Sequence, residues 1–190
     1  PVNVSTINNC RVLGCDYIDA GHAFPCLLLI NSCSLVGPSA LTTYSDATTF
    51  SLLAISNSFI HAPIVIQDTK SVNIEACSFG FGGLQPGSLS ITHTVDFDMS
   101  VVVSACVSQP GCTLDIAADS NLNVCTVKLI GYQDFAITVS SVAQLGGLVL
   151  HVDDIRQGIT WGPGAQANTT LIYTKQADVV GYSPAVPGNW

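Results

Sequence analysis

The chain has 190 residues, of which 48% are hydrophobic and 9% are charged, and its formal net charge at pH 7 is −8. Binding to nucleic acid or to an anionic membrane surface needs clustered Lys and Arg side chains, whereas the 5 basic residues of this chain are scattered. No apolar run approaches the roughly 18 residues of a membrane-spanning helix. The composition therefore disfavours nucleic acid as a partner and predicts no membrane insertion.

A short segment recurs along the first two thirds of the chain, with an apolar residue three positions before a Cys or Ser. It reads INNCRV from residue 7 and INSCSL from residue 30, and four weaker copies follow. The small residues of the six copies are Cys10, Cys33, Ser58, Cys77, Cys106 and Cys125, at intervals of 23, 25, 19, 29 and 19 residues. A period between roughly 20 and 50 residues is typical of a solenoid.

Short runs of aliphatic and β-branched residues lie between turns that contain Gly and Pro, which predicts short strands. In chain order these runs are SLLAI, PIVI, SVNI, LSITHTV, SVVVSA, NVCTVKLI, AITVSSV, LVLHV and TLIY. Helix-forming residues are too scarce for a helical solenoid. We therefore predict an all-β fold, a single-stranded parallel β-helix of about eight coils over residues 1–160. A right hand is expected, because parallel crossovers are almost always right-handed. Residues 161–190 are predicted to hold the solenoid end, one strand and a Pro- and Gly-rich linker to a further C-terminal region.

Stacking of equivalent positions on successive coils explains the repeat. We expect its six small residues to form an inward ladder of free, buried thiols with one hydroxyl, since parallel Cβ vectors would strain a disulfide. Cys15, Cys26 and Cys112 lie off this ladder, and a disulfide among them stays open. Five phenylalanines are candidates for a second interior stack or for plain core: Phe59, Phe79, Phe81, Phe97 and Phe135. The four histidines are expected at surface or turn positions.

The coil pattern over residues 4–160 resembles the right-handed parallel β-helices of the pectate-lyase-like superfamily, above all those of phage and viral tail fibres and tailspikes. The closing stretch YTKQADVVGYSPAVPGNW is similar to connecting segments of virion fibre proteins. The resemblance implies a virion surface protein, commonly a homotrimer, that binds or cleaves host surface polysaccharide. Coils rich in cysteine favour assembly in a reducing cytoplasm.

Asp96 and Asp98 flank Phe97 and are the first candidate catalytic pair. If Phe97 points inward from a strand, both carboxylates point outward about 7 Å apart, a separation that suits an inverting glycosidase. Tailspike hydrolases place paired acids on the flank of the β-helix, so the resemblance points the same way. The alternative is a solvated strand face or turn.

Asp153 and Asp154, with Arg156 nearby, form the second candidate catalytic group. Two adjacent carboxylates supply too few of the six or more oxygen ligands that Ca²⁺ takes, so the alternative is a charged turn with a local ion pair. Asp153 also occupies the cysteine position if LHVD from residue 150 is a further copy of the repeat. No metal motif or cofactor motif is found, and no cofactor is expected.

Three aromatic residues, Trp161, Tyr132 and Tyr173, are candidates for stacking on a glycan or for subunit contact, with packing at the solenoid end as the alternative. The sequence thus predicts a structural or adhesive β-helix segment of a virion fibre or tailspike. Such a segment would bind host surface glycan or support a receptor-binding tip. Two alternatives remain: a polysaccharide hydrolase or lyase acting through the paired Asp residues, and a cell-surface adhesin or filament subunit.

Overall fold

The structure is a computed structural model, and it describes residues 3–12, 15–19, 26–37, 40–45, 51–80, 86–131, 134–153 and 158–173. In chain order the strands are β1 (Asn3–Asn8), β2 (Arg11–Val12), β3 (Cys15–Asp19), β4 (Cys26–Asn31), β5 (Ser34–Val36), β6 (Leu41–Ser45), β7 (Ser51–Ser56), β8 (Phe59–His61), β9 (Pro63–Gln67), β10 (Ser71–Glu75), β11 (Ser78–Phe79), β12 (Ser88–His93), β13 (Met99–Ser104), β14 (Val107–Ser108), β15 (Thr113–Ala118), β16 (Cys125–Ile130), β17 (Ala136–Val142), β18 (Leu148–Val152), β19 (Ile159–Trp161) and β20 (Thr169–Tyr173). A short 3-10 helix covers Ala165–Asn168.

The strands form three parallel sheets, and each coil of the chain passes from one sheet to the next. The first sheet has the order β1-β4-β7-β10-β13-β16-β18-β20, the second has β2-β5-β8-β11-β14, and the third has β3-β6-β9-β12-β15-β17-β19. The chain is therefore an all-β parallel β-solenoid, as the repeat predicted, with about six turns where about eight were expected. Within the described residues no helix has the length and apolarity to cross a membrane.

The interior is built from alternating strand residues of all three sheets. In β4, Leu28 and Ile30 point inward and are buried, whereas Leu27 and Leu29 point outward. The same alternation recurs in β7, β9, β12, β13, β15, β16 and β18, because successive side chains of a strand point to opposite faces. Stacked coils thereby pile like residues on one another and produce one continuous apolar core.

The first five copies of the repeat stack in the predicted register. The apolar residue of each copy pairs with its counterpart on the next coil: Ile7 with Ile30, Ile30 with Ile55, Ile55 with Ile74, and Ile74 with Val103. In β-solenoids, such one-to-one pairing brings residues 19 to 29 apart in sequence into direct contact. The repeat in the sequence is therefore the register of the first sheet.

The prediction that residues 122–127 form a sixth copy of the repeat is wrong. Val103 pairs with Leu129, not with Leu122, and Cys125 pairs with Met99 and Leu148 at the start of β16. The segment LNVC precedes the strand instead of ending one, so Cys125 is a buried strand residue off the ladder. Its apolar-x-x-Cys spacing matched the repeat because the alternation of β16 also begins at that cysteine. The true coil is longer than the assumed interval of 19, which contributed to the overestimated number of coils.

Asp153 is not in the cysteine position either. Leu129 pairs with Val152, so Asp153 is the residue directly after the aligned apolar position, and the cysteine position falls on residue 155, outside the described residues. Beyond it, β20 joins the first sheet by parallel pairing with β18. The first sheet therefore continues to Tyr173, while the division at residue 160 and the linker after it stay predictions.

A one-residue left-handed turn separates each of the first five strands of the first sheet from its ladder residue. Asn9, Ser32, Asn57, Ala76 and Ala105 all have φ between 50° and 55°. The side chain that follows then turns back to a carbonyl two residues earlier: Cys33 Sγ donates to Asn31 O at 3.3 Å and Ser58 Oγ donates to Ser56 O at 2.7 Å. The turn thus buries the side chains of Cys33, Ser58, Cys77 and Cys106 inside the corner.

The ladder residues also bond from coil to coil. The amide of Cys33 donates to Ser58 Oγ at 3.1 Å, and the amide of Cys77 donates to Cys106 Sγ at 3.3 Å. Cys10, Cys33, Cys77, Cys106, Cys112 and Cys125 are free cysteines, which confirms free thiols on the ladder and leaves Cys112 unpaired. The side chains of Cys15 and Cys26 lie outside the described residues. Cys10, in the first coil described, is exposed, whereas Cys33, Cys77 and Cys106 are buried.

The predicted phenylalanine stack forms only in part. Phe79 and Phe135 are buried edge to face with ring centroids 5.0 Å apart, and Phe97 is buried elsewhere. Phe59 is 54% exposed, because it is the outward residue of β8 that pairs with Ser34 and Ser78. Phe81 lies outside the described residues.

Candidate functional site

Asp96 and Asp98 lie in a bend between β12 and β13, not in a strand. Phe97 is buried and both carboxylates are exposed, so the predicted orientation is confirmed. The separation expected from strand geometry does not apply to a bend. The Oδ1 atom of Asp98 accepts a hydrogen bond of 3.0 Å from the amide of Val124 on the next coil. Asp98 therefore joins two coils, which is a structural role for one member of the pair.

Two side chains, those of His93 and Lys70, contact the bend at Phe97. The Nε2 atom of His93 lies 2.6 Å from the carbonyl oxygen of Phe97, and the two rings are 6.1 Å apart. The Nζ atom of Lys70 lies 5.8 Å from the centroid of the Phe97 ring. These contacts make the corner a packed, rigid platform from which Asp96 projects.

Asp68 is the buried carboxylate of this corner and was not singled out from the sequence. It is 1% exposed, its Oδ1 accepts the amide of Thr94 at 2.6 Å, and its Oδ2 accepts the Thr94 hydroxyl at 2.9 Å. Asp68 has φ 49°, and Thr69 Oγ1 then donates to Gln67 O at 3.3 Å. Gln67, Asp68 and Thr69 therefore form the same left-handed turn as Ser56, Asn57 and Ser58 on the ladder. The local sequence QDT could have been recognised from its likeness to SNS at residues 56–58.

Asp153 is half-buried and makes local contacts. Its Oδ2 accepts the amide of Gly131 at 3.3 Å, and its Oδ1 lies 4.0 Å from Nε2 of His151. The other two members of this predicted group, Asp154 and Arg156, lie outside the described residues. In the part of the chain that the structure describes, no group of three or more His, Cys, Asp or Glu is placed to hold a metal ion.

The aromatic candidates are separated along the solenoid. Trp161 ends β19, pairs with Val139 and packs partly against the core, which supports packing at the solenoid end. The backbone of Tyr173 ends β20 opposite Val152, and its side chain lies outside the described residues. Tyr132 lies outside them as well.

Two histidines are buried rather than at the surface. His61 and His93 are 5% and 0% exposed, and the Nδ1 atom of each has no hydrogen-bond partner. His61 ends β8 at a position where strict alternation predicts an outward side chain, whereas His93 ends β12 in the inward phase of the alternation. Burial lowers the pKa of His61, because the charged imidazolium loses hydration inside the protein. Neither ring is positioned beside a described candidate nucleophile.

Three of the buried thiols, those of Cys77, Cys112 and Cys125, are poor nucleophiles. Burial raises the pKa of Cys125 to about 12 and also raises the pKa of Cys112. The pKa of Cys77 is raised first by its hydrogen bond with the Cys106 thiol and then by burial. Since the thiolate is the reactive form of cysteine, these three side chains stay protonated and inert near neutral pH.

Comparison with known protein families, with curated proteins and with solved structures finds no match for this chain. The fold therefore rests on the strand pairing alone. Within the described residues, the predicted site residues do not converge: Asp96 and Asp98 share one corner, Asp153 lies in a later coil, and Trp161 lies at the end of the third sheet.

Proposed function

We propose that this chain is a structural or adhesive segment of a virion fibre or tailspike. In this role it binds a host surface glycan or supports a receptor-binding tip, as part of a homotrimer. The observation that carries the proposal is the continuous core beneath parallel sheets, without convergence of the described acids. Such a rod holds its flank in one shape, which suits repeated contacts with a long polymer.

The thiols support the proposed place of assembly. Three ladder cysteines and two others are buried and free, and a protein that matures in an oxidising compartment tends to form disulfides. Assembly in a reducing cytoplasm followed by display on a particle surface agrees with this state. The outward strand residues and the corners are then the surfaces available to a glycan.

Adhesion without catalysis is tested with immobilised polysaccharides from bacterial and animal cell surfaces. We expect retention on at least one polysaccharide in surface plasmon resonance, with no increase in reducing ends or unsaturated products in solution. Turnover of any substrate would replace adhesion with catalysis. Absence of both retention and self-association would remove the proposal.

A polysaccharide hydrolase is the second candidate, because Asp96 and Asp98 present two exposed carboxylates around one buried Phe97. If this pair is catalytic, Asp96→Asn abolishes release of reducing ends while leaving binding intact. Asp115→Asn is a matched control, because Asp115 is an exposed outward residue of β15 in the third sheet. Equal activity of the two variants would exclude the pair.

A further inference from the structure

The outer face of the first sheet is apolar in its first three coils. Leu27 and Leu29 in β4, and Leu52 and Ala54 in β7, point away from the core. Val4 in β1 joins them and is 52% exposed. We call these five residues the outer apolar patch.

The register makes this patch continuous. Val4 pairs with Leu27 and Leu27 with Leu52, while Leu29 pairs with Ala54. Paired residues of neighbouring strands lie about 4.8 Å apart, and two outward residues of one strand lie about 7 Å apart. The five side chains therefore touch or nearly touch across three coils.

The sequence of these strands departs from one-sided alternation. β4 reads CLLLIN and β7 reads SLLAIS, so apolar residues stand on both faces. Near-continuous apolar runs are the mark of parallel strands that are covered on both faces. The core covers the inner face of these strands, so the pattern predicts that a second layer covers the outer face.

Charge identifies a second copy as a suitable layer. Between the strand ends, Lys128 is the one formal charge among the described outward residues of the first sheet, although the chain as a whole carries −8. Glu75, the exposed last residue of β10, is the one carboxylate on this face and balances Lys128. Two copies of an acidic protein repel each other least through a face that carries no net formal charge. A second copy also repeats its outward side chains at the same spacing of about 4.8 Å, so the rows of the two sheets match in period.

The area of the face is sufficient for a weak assembly. Eight strands at about 4.8 Å spacing and roughly five residues each cover about 550 Å² per copy, or about 1,100 Å² in total. A specific interface needs about 1,000 Å² in total. In the later coils, the outward residues Val102, Val149 and Ile172 are apolar but alternate with polar neighbours such as Asn73, Lys128 and His151, so the apolar character is concentrated in the patch.

We propose that a second copy of this chain packs on the outer face of the first sheet, centred on the outer apolar patch. This inference rests on the proposed function, since it names the surface through which copies of the fibre segment assemble.

The test compares the full chain with variants by size-exclusion chromatography and light scattering over a range of concentrations. The wild-type protein is expected to reach a mass of at least twice 19.8 kDa. Leu29→Glu combined with Leu52→Glu places two charges in the patch and is expected to weaken association by at least about 100-fold. The matched control is Val65→Glu with Ala117→Glu, which adds the same charge to outward positions of the third sheet and is expected to associate like the wild type.

Folding of each variant is checked by circular dichroism, and Leu29→Ser with Leu52→Ser is a milder version if the glutamates prevent folding. A wild-type mass of 19.8 kDa at every concentration overturns the inference, and it would point to another segment of the same chain as the cover of the patch. Association that survives both patch variants overturns it too. If the patch variants become monomers but the wild type binds no polysaccharide, the inference stands and the adhesive function fails.

Discussion

At the scale of single residues, the corner of the first sheet works because one residue adopts a conformation that L side chains rarely take. The left-handed region costs an ordinary residue about 1–2 kcal/mol, and asparagine, which stands at Asn9 and Asn57, tolerates it comparatively well. Ala76 and Ala105, with φ 53° and 51°, are not of a tolerant type and bear the full conformational cost. What the turn makes possible is the inward hydrogen bond of the following Cys or Ser.

Ser58 tests the energetic weight of that hydrogen bond. Ser58→Ala removes one of the hydrogen bonds to the Ser56 carbonyl and leaves the buried Cys33 amide without the acceptor it has in Ser58 Oγ, so we expect a loss of about 2–3 kcal/mol in the free energy of unfolding. Ser58→Cys restores the type of side chain used at Cys33 and Cys77 and is expected to recover most of the loss. Urea denaturation measures both, and equal stability of the alanine and cysteine variants would contradict the role of the bond.

Ala105 tests the strain of the turn. Ala105→Gly relieves the left-handed cost but makes the unfolded chain more flexible, so we expect a net gain of about 0.5–1 kcal/mol. Ala117→Gly is the control, because Ala117 lies inside β15, where glycine only weakens a strand by about 1 kcal/mol. The two variants should change the melting temperature in opposite directions, and a loss at Ala105 would refute the account.

At the scale of elements, two cysteines with the same local sequence pattern have different surroundings. Cys106 follows a left-handed turn and donates from Sγ to the Ser104 carbonyl at 3.2 Å. Cys125 begins β16, faces the core and is fully buried. The pattern of an apolar residue three positions before a cysteine could not separate a residue after a strand from one that opens a strand, because both give buried small side chains.

Serine substitution distinguishes these two surroundings. At Cys106, a serine can repeat the bond that Ser58 makes, so Cys106→Ser is expected to change stability by less than about 1 kcal/mol. Cys125→Ser places a hydroxyl among apolar side chains and is expected to cost about 2 kcal/mol. The urea midpoints of the two variants give the comparison. Equal losses of stability in the two variants would contradict the difference between the surroundings of Cys106 and Cys125.

At the scale of the whole molecule, the coils stack so closely that some corners have no room for a side chain. A Cβ atom on Gly146 would lie 2.0 Å from the carbonyl oxygen of Ser120 and 2.5 Å from that of Asn123, both backbone atoms of the preceding corner. The close approach of two backbones, rather than a special φ, is what requires glycine there. The spacing of the coils is therefore set at the corners as well as by the sheets.

Gly146→Ala is expected to lower the free energy of unfolding by about 3 kcal/mol, because neither carbonyl can move away without shifting a coil. Gly131→Ala is the control: a Cβ atom there would meet no atom within 4 Å, and the cost comes from its φ of 90°. We expect that control to lose about 1–2 kcal/mol. Thermal unfolding followed by circular dichroism ranks the two, and the reverse order would show that the corners are not tightly stacked.

The stability of the folded chain should also depend on pH through His61. Burial lowers its pKa below 6.5 in the folded state, so the unfolded chain takes up a proton at a higher pH than the folded chain. The contribution of the neutral His61 side chain to the free energy of unfolding is complete above pH 6.5, and it is lost as the pH falls through the pKa of His61 in the folded state. We expect His61→Gln to reduce the fall in urea midpoint between about pH 8 and about pH 5. His151→Gln, at a partly exposed position, is the control, and an identical slope in the wild type and His61→Gln would disprove the contribution.

The sequence by itself determined the solenoid, the parallel first sheet and its register from Ile7 to Val103, because stacking makes equivalent positions face equivalent surroundings and so leaves a repeat in the chain. For Phe97 and its flanking aspartates, the sequence offered only a conditional orientation, and the structure shows Phe97 buried between two exposed aspartates in a bend. Only the tertiary structure decided where the repeat ends, that Cys125 lies off the ladder, that Asp98 bonds to the next coil, and that His61, His93 and Asp68 are buried. These features depend on contacts between coils, whose lengths vary from one to the next, and local sequence spacing does not encode which residues of two coils lie side by side.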